Sequence, residues 1–356
     1  MRMSTPRLWV DRTILQSNIS EMQSLATSRR IELRPHIKAH KCREIMHMQL
    51  AEGAAGITVA KLGEAETMVA AGAKNVFVAY PLVGEEKLDR LVALSERALV
   101  TVAVDNFAVA QEMAARFAEE RPIGVLIEID SGLKRCGVLP EEAVFLARSL
   151  MTLPNLKLKG VFTHAGQAYG ATPEKVREIG LMEAHTVVAV RDALQQYNIE
   201  IETVSTGSTP TAKHNLEVAG VTEIRPGNYV WNDAIQVGLG VATLSQCALT
   251  VETTVVSSPA PGRIIIDAGS KALGLDKGAH GLSIVTGYGH IIGWPTLVIE
   301  RLSEEHGVVT FQGPGPAIGQ KLRIVPNHAC VVVNLAEALW VNDTEHWVVA
   351  ARGRSD

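Results

Sequence analysis

The sequence lacks most features of secreted, membrane-bound or disulfide-stabilised proteins. Its four cysteines, Cys42, Cys136, Cys247 and Cys330, are widely spaced and form no Cys-x-x-Cys pair. This pattern is typical of a reduced, intracellular protein. No apolar run approaches the roughly 18 residues that a membrane helix requires. The segment from Met1 to Leu15 carries charges throughout and has no apolar centre of the signal-peptide type. We therefore expect a soluble, cytoplasmic protein without a membrane partner.

An excess of positive charge is also missing. The net charge is −4 over 356 residues, which argues against a nucleic-acid partner. No Gly-x-Gly-x-x-Gly motif follows the first predicted strand, so a doubly wound dinucleotide-binding sheet is disfavoured. Internal repeats and low-complexity linkers do not stand out. The length is too great for one small domain and too small for three.

The chain does contain a regular alternation of short apolar runs and helical patterns. The predicted strands are Ile31–Pro35, Gly56–Ala60, Asn75–Tyr80, Ala98–Val104, Ile123–Ile129, Leu156–Phe162, Ile201–Ser205 and Val221–Ile224. The predicted helices are Cys42–Gly53, Gly63–Ala71, Gly84–Ala93, Asn106–Glu119, Glu141–Met151, Glu174–Gln196 and a short one after Thr209. Such alternation predicts parallel βαβ units. Roughly eight strands over about 200 residues is the count of a (β/α)8 barrel, with an open doubly wound sheet as the competing architecture.

Near residue 240 the pattern changes to strands separated by glycine and proline. The predicted strands there are Cys247–Ser257, Arg263–Ile266, Thr296–Leu302, Gly307–Phe311 and Ala329–Leu335. We therefore expect an α/β chain with a second, β-rich domain. The predicted division is an N-terminal segment, 1–20, packing with the β domain, a barrel over 21–240, and the β domain over 241–356.

A basic stretch, Arg34 to Lys41, follows the first barrel strand and precedes a helical segment. It holds two lysines, two histidines and an arginine in eight residues. Because like charges repel, we expect at least one lysine with a lowered pKa, usable as a nucleophile. The end of a strand before a helix lies at the rim of such folds, where catalytic groups are kept. Composition alone favours a solvated basic loop.

Other polar clusters also come directly after predicted strands. They are Asp130–Gly137, His164–Gly170, Ser205–Thr209 and Arg225–Tyr229. These segments would face one another across one mouth of the barrel. The last two are rich in small residues, which let backbone N–H groups approach an anion, and barrel phosphate sites usually follow strands seven and eight. A phosphate site and a candidate Schiff-base lysine on one rim indicate pyridoxal phosphate (PLP).

The stretch Pro35-His36-Ile37-Lys38-Ala39-His40-Lys41 resembles the Pro-His-x-Lys-Thr-His-Lys signature of a known family, with alanine in place of threonine. The likeness covers essentially the whole chain, including Glu223–Tyr229, Ser303–Gly307 and Pro326–Cys330. The sequence is thus similar to the fold-type III PLP enzymes of the alanine racemase superfamily, and within it to the D-threonine aldolase and D-serine dehydratase family. The resemblance implies a PLP-binding TIM barrel with an alanine racemase-like C-terminal β domain, and a homodimer.

The same resemblance implies roles for individual residues. Lys38 would form the Schiff base, Arg135 would lie near the phenolic oxygen of PLP, His164 would pack against the ring, and Arg225 would face the ring nitrogen. An arginine does not accept a proton at working pH, so the ring would be a weaker electron sink and a metal could assist. Apart from the resemblance, Tyr169 is a candidate for a contact either to substrate or to the groups that surround it. The remaining cofactor residues implied are Ser205, Thr206, Gly207, Ser208, Gly227, Asn228 and Tyr229.

His328 and Cys330 resemble the metal-binding pair of the family. On a strand, residues two apart point to the same side, as ligands must. His-x-Cys by itself is a weak signal, and without the resemblance the residues favour an ordinary buried pair. Imidazole and thiolate suit zinc, with manganese or magnesium as alternatives, and two protein ligands leave room for water and a substrate oxygen.

The resemblance implies a PLP- and metal-dependent lyase acting on D-3-hydroxy amino acids. We expect a dehydratase, giving a 2-oxo acid and ammonia, because Cys330 and the segment His164–Tyr169 look more like D-serine dehydratases. The alternative is a D-threonine aldolase, giving glycine and an aldehyde. A racemase is disfavoured because racemisation has no use for the metal pair. A non-catalytic PLP-binding protein is disfavoured because such barrels lack an appended β domain.

Overall fold

The computed structural model describes residues 4–278 and 283–356. The chain begins with strand β1 (Arg7–Val10) and helix α1 (Arg12–Ser28). The Asp11 carboxylate caps α1 by accepting from the N–H groups of Thr13 and Ile14. The sequence analysis predicted no helix here, although Leu15, Ile19 and Met22 recur at helical spacing. Since α1 runs through residue 20, the predicted boundary between residues 20 and 21 falls inside a helix.

Eight parallel strands follow and form one sheet, in the order β2-β9-β8-β7-β6-β5-β4-β3. Its strands are β2 (Glu32–Leu33), β3 (Ile57–Val59), β4 (Asn75–Pro81), β5 (Leu99–Val104), β6 (Ile123–Glu128), β7 (Leu156–Phe162), β8 (Thr203–Thr206) and β9 (Glu223–Ile224). A bridge between His36 and Thr58 joins the two ends of the sheet, and the N–H of Thr58 donates to the carbonyl of Pro35 at 2.8 Å. The predicted (β/α)8 barrel is confirmed.

Helices connect the barrel strands and cover them from outside. They are α2 (Arg43–Glu52), α3 (Leu62–Ala70), α4 (Glu85–Ser95), α5 (Phe107–Ala114), α6 (Ala143–Leu150), α7 (Pro173–Gln196), α8 (Ala212–Asn215) and α9 (Ala234–Gly238). Most of the helical side chains that face the strands are buried in one apolar cluster. A smaller cluster fills the barrel interior, where Phe77 meets Phe162 edge to face at 4.9 Å, with Ala103 and Leu126 beside them. The interior is therefore packed below the mouth, which leaves the mouth for ligands.

The rest of the chain builds a second, mostly antiparallel sheet. Its elements are β10 (Leu249–Ala260), β11 (Arg263–Ile266), α10 (Ser270–Leu273), β12 (His290–Ile291), β13 (Val298–Leu302), β14 (Gly307–Thr310), β15 (Lys321–Val325), α11 (Ala329–Leu335), β16 (Ala338–Val341) and β17 (Glu345–Val348). Strand β1 pairs with β10 and β16, so the N-terminal strand belongs to the second sheet. Among the described residues, no helix is long and apolar enough to cross a membrane.

One element of the second domain contradicts the sequence analysis. Residues Ala329–Leu335 form helix α11, whereas a strand was predicted there. The run Ala-Cys-Val-Val-Val-Asn-Leu is rich in β-branched residues, which favour strands, but a short apolar run has no periodicity that separates a strand from a buried helix. Val332 and Val333 bury one face of α11. The placement of His328 and Cys330 on a strand is therefore wrong, because His328 caps the helix and Cys330 lies in its first turn.

Candidate active site

A cavity of about 510 Å³ opens at the mouth of the barrel, on the side where the strands end. Loops that follow β2, β6, β7, β8 and β9 line it, and so does helix α11 of the second domain. The predicted residues on its wall are Lys38, Arg135, His164, Tyr169, Gly207, Ser208, Arg225, Gly227, Asn228, His328 and Cys330. The barrel loops and the candidate metal ligands, His328 and Cys330, therefore line the same cavity within one chain.

Lys38 lies on a short 3-10 turn, Ile37–Ala39, directly after β2. The Lys38 side chain is exposed to the cavity, yet the protein atoms around the amine desolvate it and lower its pKa; Arg135 and Arg225 lower the pKa further, whereas Cys330 and Glu64 oppose the change. A lowered pKa makes the free amine available near neutrality. The expectation of a perturbed lysine agrees with this direction, although desolvation, and not the crowding within the basic stretch, is the main cause.

The other basic residues of the stretch have structural partners. Lys41 donates to the Asn334 side chain at 2.8 Å and pairs with Glu64 at 3.3 Å. His40 is fully buried against Gln49, and burial lowers its pKa to about 4. The interpretation of the stretch as a solvated loop therefore does not hold, since these side chains pack into the protein.

Arg225 lies on the floor of the cavity, over the rings of Phe162 and Phe77 at 5.0 and 5.7 Å. Its Nε donates to the Ser205 hydroxyl at 2.8 Å, and that hydroxyl donates to Glu223 at 2.6 Å. Glu223 also pairs with Arg34 at 2.6 Å. This buried chain of polar groups fixes the guanidinium of Arg225 beneath the space where a cofactor ring would lie.

The predicted phosphate residues separate into two groups. Ser205 is fully buried within the chain beneath Arg225, and Thr206 is fully buried with an unpaired hydroxyl; neither lines the cavity. Tyr229 faces away, with its hydroxyl accepting from Gln49 at 3.0 Å. The structure thus places Ser205, Thr206 and Tyr229 apart from the cavity wall.

Gly207, Ser208, Gly227 and Asn228 do line the cavity, together with Thr209, which the sequence analysis did not select. In the described part of the chain, the N–H groups of Thr209, Gly227 and Asn228 donate to no protein acceptor. A Cβ on Gly227 would lie 2.7 Å from the carbonyl oxygen of His36, so only glycine fits there. Open N–H groups on small residues fit a phosphate, so these residues suit the phosphate of PLP.

His328 and Cys330 lie at the start of α11, half-buried in the cavity wall. The Nδ1 of His328 contacts the Asp276 carboxylate at 2.6 Å, which leaves Nε2 for another partner. Burial opposes the charged form, yet Cys330 and Asp276 raise the pKa of His328 well above its ordinary value. A protonated imidazole beside a cysteine sulfur can exchange its proton for a metal cation. The chemistry of the pair, with Asp276 orienting the imidazole, therefore suits zinc.

Three buried acids that organise the site were not found from the sequence. Asp233 accepts from the Asn228 side chain at 2.5 Å and from the N–H of Ala329 at 2.9 Å, and so joins the loop after β9 to α11. Glu183 accepts from the N–H groups of Ala165 and Gly207 at 2.9 and 3.1 Å. Glu223 holds Ser205. The role of each acid follows from hydrogen bonds that only the folded structure shows.

Comparisons with known proteins agree with this geometry. Residues 10–234 match the model of the alanine racemase N-terminal domain, and residues 248–342 match that of a putative serine dehydratase domain. D-threonine aldolase of Arthrobacter sp. is 33% identical over 99% of this chain and 94% of its own. D-threo-3-hydroxyaspartate dehydratase of Delftia sp. is 34% identical over 93% of this chain and 92% of its own.

A solved structure of the same dehydratase, a cysteine-to-alanine mutant in the metal-free form, superposes with a TM-score of 0.90. It is 32% identical and covers 98% of this chain and 97% of its own. The agreement in sequence and fold extends through both domains. The chain therefore belongs to the D-threonine aldolase and D-serine dehydratase family of the alanine racemase superfamily.

Proposed function

We propose that the protein is a PLP- and zinc-dependent lyase that removes water from D-3-hydroxy amino acids, giving a 2-oxo acid and ammonia. The observation that carries this proposal is one cavity lined both by Lys38 with its PLP-type surroundings and by the His328–Cys330 pair. The relatives named above act, by their names, on D-threonine and D-threo-3-hydroxyaspartate. D-Serine, D-threonine and 3-hydroxy-D-aspartate are the candidate substrates.

The residues around Lys38 have distinct tasks in this proposal. When bound, PLP supplies an electron sink for negative charge at the substrate α-carbon. Lys38, with its lowered pKa, accepts the α-proton at Nζ. Arg225 and His164 would hold the ring, and Arg135 would stabilise negative charge on its phenolic oxygen. Burial raises the pKa of Tyr169, so its phenol keeps its proton and can donate a hydrogen bond to a substrate oxygen.

His328 and Cys330 would hold the metal, which would supply Lewis-acid chemistry for the departure of the substrate 3-hydroxyl. Zinc is preferred over manganese or magnesium because one ligand is a thiolate. Asp276 keeps the imidazole in the orientation that a ligand needs.

The second candidate function is the aldolase reaction. It uses the same cavity, but the 3-hydroxyl loses its proton and the Cα–Cβ bond breaks. The cysteine at position 330 and the His164–Tyr169 segment favour the dehydratase, whereas identities of 33% and 34% to aldolase and dehydratase relatives do not separate the two.

Product analysis with D-threonine decides between them. The purified protein is loaded with PLP and zinc and incubated with D-threonine and with L-threonine as the stereochemical control. We expect 2-oxobutanoate and ammonia from the D-isomer only, and loss of turnover after chelation that added zinc restores. Glycine and acetaldehyde would instead establish the aldolase.

Turnover that survives complete removal of metal would refute the role of His328 and Cys330. No turnover of any D-3-hydroxy amino acid would favour a non-catalytic PLP-binding protein.

We also propose a homodimer, from the family resemblance; a single-chain mass in sedimentation equilibrium would contradict it. The cytoplasmic location stays a prediction.

A further inference from the structure

Positive charge predominates on the wall of the cavity. Six lysines and arginines line it, whereas in the described part of the chain only Glu64 brings a carboxylate to it. The six cations are Lys38, Lys41, Lys61, Arg135, Arg225 and Arg354. Four of them are engaged by Glu64, by the polar chain beneath the mouth, or by the cofactor in the function proposed above. Arg354 and Lys61 remain, and nothing in that function uses them.

Neither of these two cations is neutralised by the protein. Within residues 4–278 and 283–356, the side chains of Arg354 and Lys61 form no ion pair with a carboxylate. The ammonium of Lys61 lies 3.7 Å from the centre of the Tyr80 ring, a contact that leaves its charge in place. The carboxylate of Asp356, close to Arg354 in sequence, is engaged by Nη1 of Arg90 at 2.9 Å. Two uncompensated cations on the wall of a cavity attract an anion.

The segment 351–356 brings Arg354 to the mouth without using its guanidinium. Ala351 is fully buried, and its N–H donates to the carbonyl of Lys41 at 3.1 Å. The N–H of Gly63 donates to the carbonyl of Asp356 at 3.2 Å. A Cβ on Gly63 would lie 2.7 Å from a side-chain oxygen of Asp356 and 3.1 Å from the Cβ of Arg354, so the glycine admits this segment. Other contacts thus fix the position of Arg354, and its guanidinium keeps its donors for a ligand.

Arg354 and Lys61 reach the cavity from the same side. Lys61 precedes Gly63 by two residues, and Gly63 packs against the Cβ of Arg354. This side belongs to the loop after β3, which the bridge between His36 and Thr58 places next to β2. The N–H groups that suit the cofactor phosphate follow β8 and β9, on the other side of β2. The two cations are therefore separated from the phosphate site and are open to a different anion.

Helix α11 relates this side of the cavity to the candidate metal ligands. Cys330 and Asn334 are four residues apart, so they share one face of the helix, about 6 Å apart along its axis, and both line the cavity. Oδ1 of Asn334 lies 3.5 Å from the backbone nitrogen of Gly353, the neighbour of Arg354. In the proposed function, the substrate 3-hydroxyl departs beside Cys330. The other substituent on the same carbon therefore lies in the part of the cavity that Arg354 lines.

We propose that Arg354, with Lys61 beside it, binds a second carboxylate on the substrate. This inference rests on the proposed function and narrows it to D-3-hydroxy dicarboxylic amino acids, such as 3-hydroxy-D-aspartate. A planar guanidinium forms two parallel hydrogen bonds to a carboxylate. The methyl group of D-threonine and the hydrogen atom of D-serine offer no such partner and leave both cations without a counter-charge. Substrates with a single carboxylate should therefore bind more weakly.

Two amino acids without a 3-hydroxyl group isolate this contact from turnover. D-Aspartate and D-2-aminobutyrate carry a carboxylate and a methyl group, respectively, at the same position, and neither can lose water. The full chain, loaded with PLP and zinc, is titrated with each amino acid, and the change in the visible absorption band gives Kd. We expect D-aspartate to bind at least about tenfold more tightly, the gain expected for hydrogen bonds between charged groups.

Variants of the two cations assign this preference to residues. Arg354→Met removes the charge, so it should abolish most of the preference for D-aspartate while Kd for D-2-aminobutyrate stays at the native value. Arg354→Lys keeps the charge without the planar fork and should retain part of the preference. Lys61→Met should weaken the preference as well. The matched control is Arg352→Met, because Arg352 belongs to the same segment but pairs with Glu337 at 3.9 Å; it should keep the native preference.

Turnover gives a second readout of the same contact. In Arg354→Met, kcat/KM for 3-hydroxy-D-aspartate should fall at least about tenfold, mainly through KM, because the lost contact contributes to substrate binding. The value for D-threonine should stay unchanged in this variant.

Three results would overturn the inference while leaving the proposed function intact. The first is a native protein that does not prefer D-aspartate, and the second is an Arg354→Met protein that keeps the native preference. The third is an equal loss of affinity for both amino acids in Arg354→Met, which would mean that Arg354 binds the carboxylate common to all substrates. A native protein that binds no PLP would instead refute the proposed function, and this inference with it.

Discussion

At the scale of single residues, the amine of Lys38 stands apart from the other cations of its stretch. Lys41 is bound by Glu64 and Asn334, whereas Lys38 opens into the cavity with a lowered pKa. Only an amine that loses its proton easily can attack an aldehyde near neutral pH. The two lysines are three residues apart in sequence, yet their surroundings give them different chemistry.

Borohydride reduction of the PLP-loaded protein tests that difference. We expect the reduced cofactor mass on Lys38 and not on Lys41 when the peptides are analysed by mass spectrometry. Lys38→Ala should lose the visible band, while the exposed Lys74 provides a control, Lys74→Ala, that keeps it. Labelling of Lys41 would show that the lysine was assigned wrongly.

The two half-buried cysteines near the mouth make a second contrast between residues. Cys330 adjoins His328, and Cys136 adjoins Asp105 and Glu128. We expect Cys330→Ser to lower bound zinc from about one to well below one per chain, because thiolate is the stronger ligand. Cys136→Ser should keep the native zinc content. Metal analysis after dialysis measures both variants. The reverse pattern would indicate that the metal is bound by Asp105, Glu128 and Cys136 instead.

At the scale of elements, strand β8 carries two neighbouring side chains with different roles, Ser205 and Thr206. The Ser205 hydroxyl links Arg225 to Glu223, whereas the neighbouring Thr206 points to the other side with its hydroxyl unpaired. Successive residues of a strand face opposite sides. A sequence rich in Ser and Thr suggested that both bind phosphate, but the strand register gives neither of them access to the cavity.

Stability measurements should show this difference. Ser205→Ala removes one hydrogen bond from the buried guanidinium of Arg225 and one from the buried carboxylate of Glu223, so it should lower the free energy of unfolding by about 1–3 kcal/mol. Thr206→Val replaces an unpaired hydroxyl by a methyl group of similar size and should be neutral or slightly stabilising. Urea denaturation of the apo-protein compares them. Equal destabilisation by both changes would contradict the assigned hydrogen bonds.

At the scale of the whole molecule, Glu128 links global stability to pH. The folded protein keeps a proton on this carboxyl up to about pH 7, because burial raises its pKa, whereas the unfolded chain releases it near its ordinary value of about 4.3. The folded state therefore binds more protons in this window, so the contribution of Glu128 to stability falls as the pH rises from about 4 to 7. The full loss is about 4 kcal/mol above pH 7.

Glu128→Gln removes this dependence because an amide does not ionise. We expect the variant to gain stability relative to the native apo-protein as the pH rises from about 5 to about 8. Denaturant unfolding of both proteins across this range measures the difference, which cancels the titration of all shared groups. A constant difference across the range would mean that Glu128 is ionised throughout.

The fold and most of the site could be predicted because local sequence encodes them. Alternating apolar runs and helical patterns indicate parallel strands, and residues just after such strands must meet at one mouth. Lys38, His164 and Arg225 were placed by that rule. The helix Arg12–Ser28 was missed although its spacing was present in the sequence.

What the sequence by itself determined was the succession of strands and helices, and hence which loops share the mouth, since backbone periodicity is a local property. Only the tertiary structure decided the roles of side chains whose partners are distant in the sequence. Residues 329–335 became a helix because they pack across the mouth, and this brought His328 and Cys330 to Lys38. Ser205 acquired its role from Arg225 and Glu223, and Asp233 from the N–H of Ala329, because burial makes an unpaired polar group costly wherever its partner lies in sequence.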